Sequence, residues 1–516
     1  MTSTKTVLVL GGSYGGARAA RILSETLPPD WRVVVLERNS HMNHVYVFPR
    51  FVVLPEHAPK GFVPYTNMFT PPSTSDSSAN GSANGANGQA NGVNGGSSKS
   101  RNIVIQGLVT SISPHSVTYL SPSPSYDGVT DAGHTIPDSE RGVEEHTLPF
   151  DYLIYALGAG LPTPCDVWGE PPSLPSPARG SKSGGIEWMQ RHHETIAAAA
   201  SVAIIGGGAL GIQFATDIKS LWPEKSVTLI HSRQTLMPIY PGLHDVVMTK
   251  MEELGVRTIL GERVMEWPQD GDKVKRIKTA GGKVVEADVV LACTGQRPRV
   301  GLLSGLANVD PVSGRIRVRP SLQIEPLTQV EEIVSRVEGL SVTENGVNGA
   351  NGSSHEENGE KETGLGHIFA IGDCAHTPAI QAGHTAYWMG ECAAHNVVKL
   401  INAAEAKSNG DSKPNGHANG HANGDAKPNG VKTEGDAEVA AKMKGDSTDV
   451  QPVVYNGVEL ETYVPGAPAI KLTLGLTDYV THFRSGEIVQ ASDGVPDLQA
   501  RLMWPSVNAD SLPDDA

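Results

Sequence analysis

The sequence predicts an α/β chain wound around two parallel sheets, and three observations carry that prediction. Gly206, Gly208 and Gly211 stand at G-x-G-x-x-G spacing between a β-branched run, Val202 to Ile205, and an Ala/Leu/Phe pattern of helical period. A looser copy opens the chain, where Lys5 to Leu10 runs into GGSYGG, Gly11 to Gly16, and the alanine-rich ARAARIL. Two later segments, Tyr152 to Gly160 and Ala287 to Gly295, repeat one grammar of apolar strand followed by glycine. In such a strand, turn and helix, the first glycine allows the turn and the second admits a pyrophosphate against the backbone. The third lets the helix pack on the strand, and the helix N-terminus faces the phosphates.

Each element can be justified in order. The first turn carries Ser13 in place of the middle glycine, tolerable if its side chain points away from a pyrophosphate or donates to it. Trp31 to Leu36 is the next strand, ending in Glu37 with Arg38 behind it; a carboxylate about 20 positions past the last glycine suits a ribose hydroxyl. Asn102 to Ile112, Ser116 to Leu120 and His146 to Ile154 alternate as strands. Ile186 to Ala200 has helical spacing, with His192 and His193 expected at the surface. Ser226 to Ile230 is the strand that should read the second ribose, and it ends in His231, Ser232 and Arg233 with no carboxylate. Arg and Ser both bond phosphate oxygens, so a 2′-phosphate is better served there than a bare diol. Asp245 to Leu254 is helical, and a strand from His367 to Ile371 delivers Gly372 and Asp373 onto a turn before the helix Ala386 to Leu400.

Three Asn/Gly/Ser-rich tracts, 71–100, 343–362 and 405–447, lack apolar periodicity and are expected to be disordered, because they cannot bury enough surface to offset chain entropy. Composition excludes other classes. With 41 basic against 56 acidic residues the net charge is −15, which disfavours nucleic acid as a partner. The expected location is cytoplasmic: the N-terminus enters a strand directly, Thr2 excludes myristoylation, and no apolar run reaches membrane-spanning length. Peripheral membrane contact and the oligomeric state stay open. Cys165, Cys293, Cys374 and Cys392 form no CxxC pair, so neither a disulfide framework nor a thiol relay is expected, and no metal site is read from the sequence.

VLVLGGSYGG with Glu37, YLIYALGAG, SVAIIGGGALGIQ with VTLIHS, VVLACTG, HIFAIGDCA and YVPGAPAIKLTLG occur in that order. Together they resemble the two-dinucleotide-binding-domain flavoprotein oxidoreductases, and within them the apoptosis-inducing-factor-like and ferroptosis-suppressor-like branch. The resemblance implies two Rossmann-like domains, the second inserted in the first, plus a small C-terminal α+β segment. It divides the chain into an FAD-binding part at 1–170, an NAD(P)H-binding domain at 186–286, a second FAD-binding part at 287–402, a linker at 405–447 and a C-terminal segment at 452–516. It places Gly11, Gly12, Ser13, Tyr14, Gly15 and Gly16 at the FAD pyrophosphate, Glu37 and Arg38 at the adenine ribose, and Val109 near the adenine. Gly372 and Asp373 fall at the ribityl or pyrophosphate part. Gly206, Gly208, Gly211, Gln213, His231 and Arg233 would hold NADPH or NADH, with NADPH used at least as well.

The departures are informative. Relatives carry Glu where this chain has Gln213, and the Lys expected after a Thr-Pro is Ala379. The loop HMNHVYVFPRFVV keeps His44 and Arg50 but puts bulky Val45, Tyr46, Val47 and Phe48 between them. The expected activity is hydride transfer from NAD(P)H to flavin and on to a small-molecule acceptor, quinone-like or another small aromatic of a biosynthetic pathway, with His44 the candidate acid or base. The rival reading is a flavin-bound signalling or interaction protein with weak turnover; a monooxygenase is disfavoured by the intact second fingerprint.

Overall fold

The computed structural model describes residues 4–70, 101–122, 143–167, 180–269, 273–327, 364–410 and 453–516. Its β-branched runs become the strands of two parallel sheets. In chain order the principal elements are β1 (Lys5–Leu10), α1 (Tyr14–Thr26), β2 (Trp31–Glu37), α2 (Phe48–Val53), β3 (Ile103–Gln106), β4 (Tyr152–Tyr155) and α3 (Lys182–Ala198). There follow β5 (Ser201–Ile205), α4 (Ala209–Leu221), β6 (Ser226–Ile230), α5 (Leu243–Glu253), β7 (Arg257–Ile259), β8 (Val289–Ala292), β9 (Ile368–Ala370) and α6 (Gly383–Gly410). The first sheet runs β9-β4-β1-β2-β3 and the second β7-β6-β5-β8, every pairing parallel. The second sheet therefore interrupts the first between β4 and β9. Helices cover such sheets on both faces, which is why Val7 to Leu10 and Val33 to Val35 are unbroken apolar runs with no exposed surface.

One boundary moves. Val289–Ala292 was expected to begin the second part of the first unit, at 287, but it pairs with β5 in register Val202↔Val289 to Ile205↔Ala292 and closes the second sheet. Apolar character alone could not say which sheet would take it. The linker expected from 405 also starts later: Glu405 to Gly410 continue α6, because AAEAK is a run of strong helix formers. Residues 411–447, and the tracts 71–100 and 343–362, lie outside the described residues. The strand expected over 102–112 is two strands, β3 and Leu108–Ser113, broken at Gly107, where a side chain would collide with Tyr119.

The C-terminal segment forms an antiparallel sheet of Ile470–Thr473, Tyr479–His482 and Ile488–Ala491, and its helical part is the 3-10 turn Ala500–Val507. It is tied to both other units through Arg50 on α2. This guanidinium, with no exposed surface, donates to both carboxylate oxygens of equally buried Asp217 on α4 at 2.7 and 2.9 Å. It also donates to the carbonyls of Gly475, Leu476 and Pro496. Among the described residues no helix is long and apolar enough to cross a membrane.

Candidate functional site

The C-terminal ends of β1, β2, β4 and β9 open onto a cavity of about 620 Å³. Its wall begins at the first fingerprint. Gly11 sits at φ 95°, and a side chain there would run into Ala156 backbone. Ser13 is extended at the head of α1 and spends no side-chain hydrogen bond on capping it. Gly11, Ser13, Tyr14, Gly15 and Gly16 all line the cavity. Gly12 does not; it packs against the Tyr65 ring and donates its N–H to Glu37 Oε2 at 2.7 Å. The other oxygen of Glu37 accepts from the Asn39 backbone and side-chain amides at 3.0 and 2.8 Å. These bonds fix a carboxylate at the end of β2, on the same wall as Arg38 and Val109. The role of Asn39 has no signal in the fingerprint, and only the turn after β2 brings it round.

At the far end stand Gly372, at φ 76°, and Asp373, whose carboxyl is pushed up by burial against the opposing pull of Arg315. On the same wall are Asn43, Val45 and Tyr46 from the loop before α2, and Phe48, the first residue of α2. His44 is not part of that wall. Its ring is 9% exposed, shares a hydrogen bond of 2.9 Å between Nδ1 and the Tyr14 hydroxyl, and packs edge-on to Tyr46. Burial holds its pKa down at about 4, so the ring is neutral near pH 7. It reaches the cavity through Tyr14 and Tyr46, which line it, and not with its own ring, so it does not stand where the expected direct acid or base would. Sequence reasoning could not see this, because a Tyr placed inside a fingerprint carries no sign of its partner.

The second fingerprint is built in the same way. Gly206 sits at φ 118° and a Cβ there would lie 2.7 Å from Cys293 O, while a side chain at Gly211 would overlap Gly206 O. Gly208 faces open space. His231 is held at one ring nitrogen, where Nδ1 accepts the Gly207 N–H at 3.1 Å, while its buried Nε2 has no hydrogen-bond partner; Gly207 has no room for a side chain beside that ring. Arg233 and Ser232 are exposed at the end of β6. Gln213 is 9% exposed on α4, one turn before Asp217, with its Nε2 lacking a hydrogen-bond partner. Asp217, unremarked in the sequence, had one signal: a carboxylate inside the apolar stripe FATDI.

All four cysteines are buried and free. The turn Thr163–Cys165 packs on β8 and brings Cys165, on the cavity wall, toward Cys293, a proximity that their separation in sequence hid. Burial raises every one of these thiols, to about 12 for Cys374 and Cys392, so none is a thiolate at neutral pH.

One parallel-sheet unit set inside another, each with a glycine turn between its first strand and the following helix, is the arrangement of a two-dinucleotide-binding-domain oxidoreductase. Residues 5–333 match the pyridine nucleotide-disulphide oxidoreductase model, and the chain belongs to that family. It is 32% identical over 503 residues to Fe-regulated protein 8 of Mycosarcoma maydis, covering 97% of this chain and 94% of that one. It is 25% identical to apoptosis-inducing factor homolog B of Dictyostelium discoideum, over 64% of this chain and 74% of that one. To human ferroptosis suppressor protein 1 it is 29% identical over 36% of this chain and 49% of that one. The protein is an FAD-dependent NAD(P)H oxidoreductase. The cavity fits FAD: glycine backbone where a pyrophosphate approaches, a fixed carboxylate for a ribose diol, and a buried Asp373 at the other end. Gly11, Ser13 to Gly16, Glu37, Arg38, Val109, Gly372 and Asp373 would hold it, while Gly12, expected among them, instead steadies Glu37.

Proposed function

We propose that this protein reduces a quinone-like or other small aromatic acceptor, Q, in the balanced reaction NAD(P)H + H⁺ + Q → NAD(P)⁺ + QH₂. The observation that carries the reading is the apolar, aromatic wall of Val45, Tyr46 and Phe48 at the Asp373 end of the cavity. A flat apolar acceptor is compatible with such a wall, and a thiol relay is not supplied by four neutral, buried cysteines. The chemistry FAD supplies when bound is a two-electron relay between dihydronicotinamide and acceptor. The chain's own residues place and shield it. Glu37 accepts from a ribose diol, Asp373 accepts from a polyol, and the helix N-termini of α1 and α4 face phosphates. Steady-state oxidation of NADPH and NADH by the holoenzyme with short-chain benzoquinones tests the reading. Quinone-dependent turnover is expected, and its absence with every quinone and small aromatic oxidant tried contradicts it.

The same reading assigns the 2′-phosphate of NADPH to Arg233 and Ser232, which are exposed at the end of β6. In Arg233→Ala, kcat/KM for NADPH should fall about 10-fold relative to NADH, the scale of one charge-assisted contact. An unchanged ratio removes Arg233 from that role.

A further inference from the structure

We propose that Tyr46 is the docking point of the aromatic acceptor, with its ring stacking on the acceptor plane and its phenolic O–H donating to an acceptor oxygen. This rests on the aromatic-acceptor reading above and adds the residue that would select for it. Tyr46 stands in the 3-10 turn Val45–Val47, whose continuation into α2 is fully buried at Phe48 and nearly so at Val47. The turn is therefore anchored, yet the Tyr46 side chain is 47% exposed while lining the cavity.

Its orientation is fixed from three sides. The Tyr14 ring meets it at a centroid distance of 5.4 Å and an interplanar angle of 63°, and the His44 ring at 6.2 Å and 83°. Its hydroxyl oxygen accepts a hydrogen bond from the backbone N–H of Gly383, the first residue of α6. Tilted neighbours of this kind steady a ring while leaving surface for an offset-stacked partner. A phenol that accepts one bond still has its own proton to give. Partial desolvation against the cavity wall, with Asp373 nearby, raises its pKa to about 12, so that proton is present throughout the neutral range. An aromatic ring held at a cavity rim, with a donor beside it, matches a planar oxidant that carries oxygen at its edge.

The test compares two acceptors on the FAD-loaded holoenzyme: a short-chain benzoquinone, and ferricyanide, which takes one electron per ion and presents no aromatic plane. The readout is selectivity, the ratio of kcat/KM for quinone to that for ferricyanide. Tyr46→Leu keeps apolar bulk and removes ring and hydroxyl; it should lower the ratio about 10-fold, with the loss in quinone KM. Tyr46→Phe keeps the ring, and its ratio should fall only about three-fold. If Tyr46→Leu does not retain flavin, the Tyr46→Phe ratio alone decides the hydroxyl's part. Ratios matching wild type in an enzyme that reduces quinone overturn the inference alone. A wild-type enzyme that reduces ferricyanide but no quinone or other aromatic overturns the functional reading and the inference with it.

Discussion

His44 shows what burial does to a residue type usually read as catalytic. Its neutral ring is a packing element that steadies Tyr14 and Tyr46, and the pH dependence of stability should register it. Burial lowers its pKa from the ordinary 6.5 to about 4, so between those values the unfolded chain binds more protons than the folded one. Its contribution is complete above pH 6.5 and is lost as pH falls toward 4, to a total on the order of 3 kcal/mol. His41, His231 and His367, also lowered by burial, add to the same acid sensitivity. His44→Gln should therefore flatten, without abolishing, the decline of Tm between pH 6.5 and 4; an unaltered slope contradicts this origin. At this scale the glycines were legible because their spacing is a backbone requirement that few residue types can meet. The orientation of His231 onto Gly207, and the Tyr14–His44 bond, depend on rotamers and on loops converging from distant sequence, which no local pattern encodes.

Among the elements, the α2 to α4 contact is built on a buried ion pair. Arg50 and Asp217 have no exposed surface and face each other across two units, with three carbonyls of the C-terminal segment on the same guanidinium. Desolvation raises the pKa of Asp217 in spite of Arg50, which marks a pair whose attraction is opposed by the cost of burial. Removing one partner strands the other: Arg50→Ala should cost about 3–5 kcal/mol in denaturant unfolding. Arg50→Met with Asp217→Leu should recover much of that loss, and a double variant as unstable as the single one would show that the carbonyl bonds dominate. The strands and helices themselves were legible from apolar period. Their pairing was not, as β8 illustrates: the run Val289–Ala292 looks alike in either sheet until its register with Val202 to Ile205 is seen. The end of α6 was misplaced because Ala, Glu and Lys within a polar tract favour helix as long as one is already nucleated.

At the scale of the molecule, the inserted second sheet gives one chain two glycine turns of the dinucleotide-binding kind. The Arg50 hub ties the C-terminal segment to both of the other units. Nothing in the order of motifs foretold the hub; it requires α2, α4 and the residues after 470 to be assembled first. The insertion itself was legible from motif order and family resemblance. The Asp373 end of the cavity was legible only as a departure, the bulky run Val45 to Phe48, of which the structure sets Val45, Tyr46 and Phe48 on the cavity wall. The most direct test is an anaerobic titration of the FAD-loaded protein, followed through the flavin absorption band. NADPH should bleach the band, and a benzoquinone added afterwards should restore it in an amount equal to the flavin reduced. A band that neither NADPH nor NADH bleaches, or a reduced flavin that no quinone or small aromatic oxidant restores, would contradict the proposed electron path.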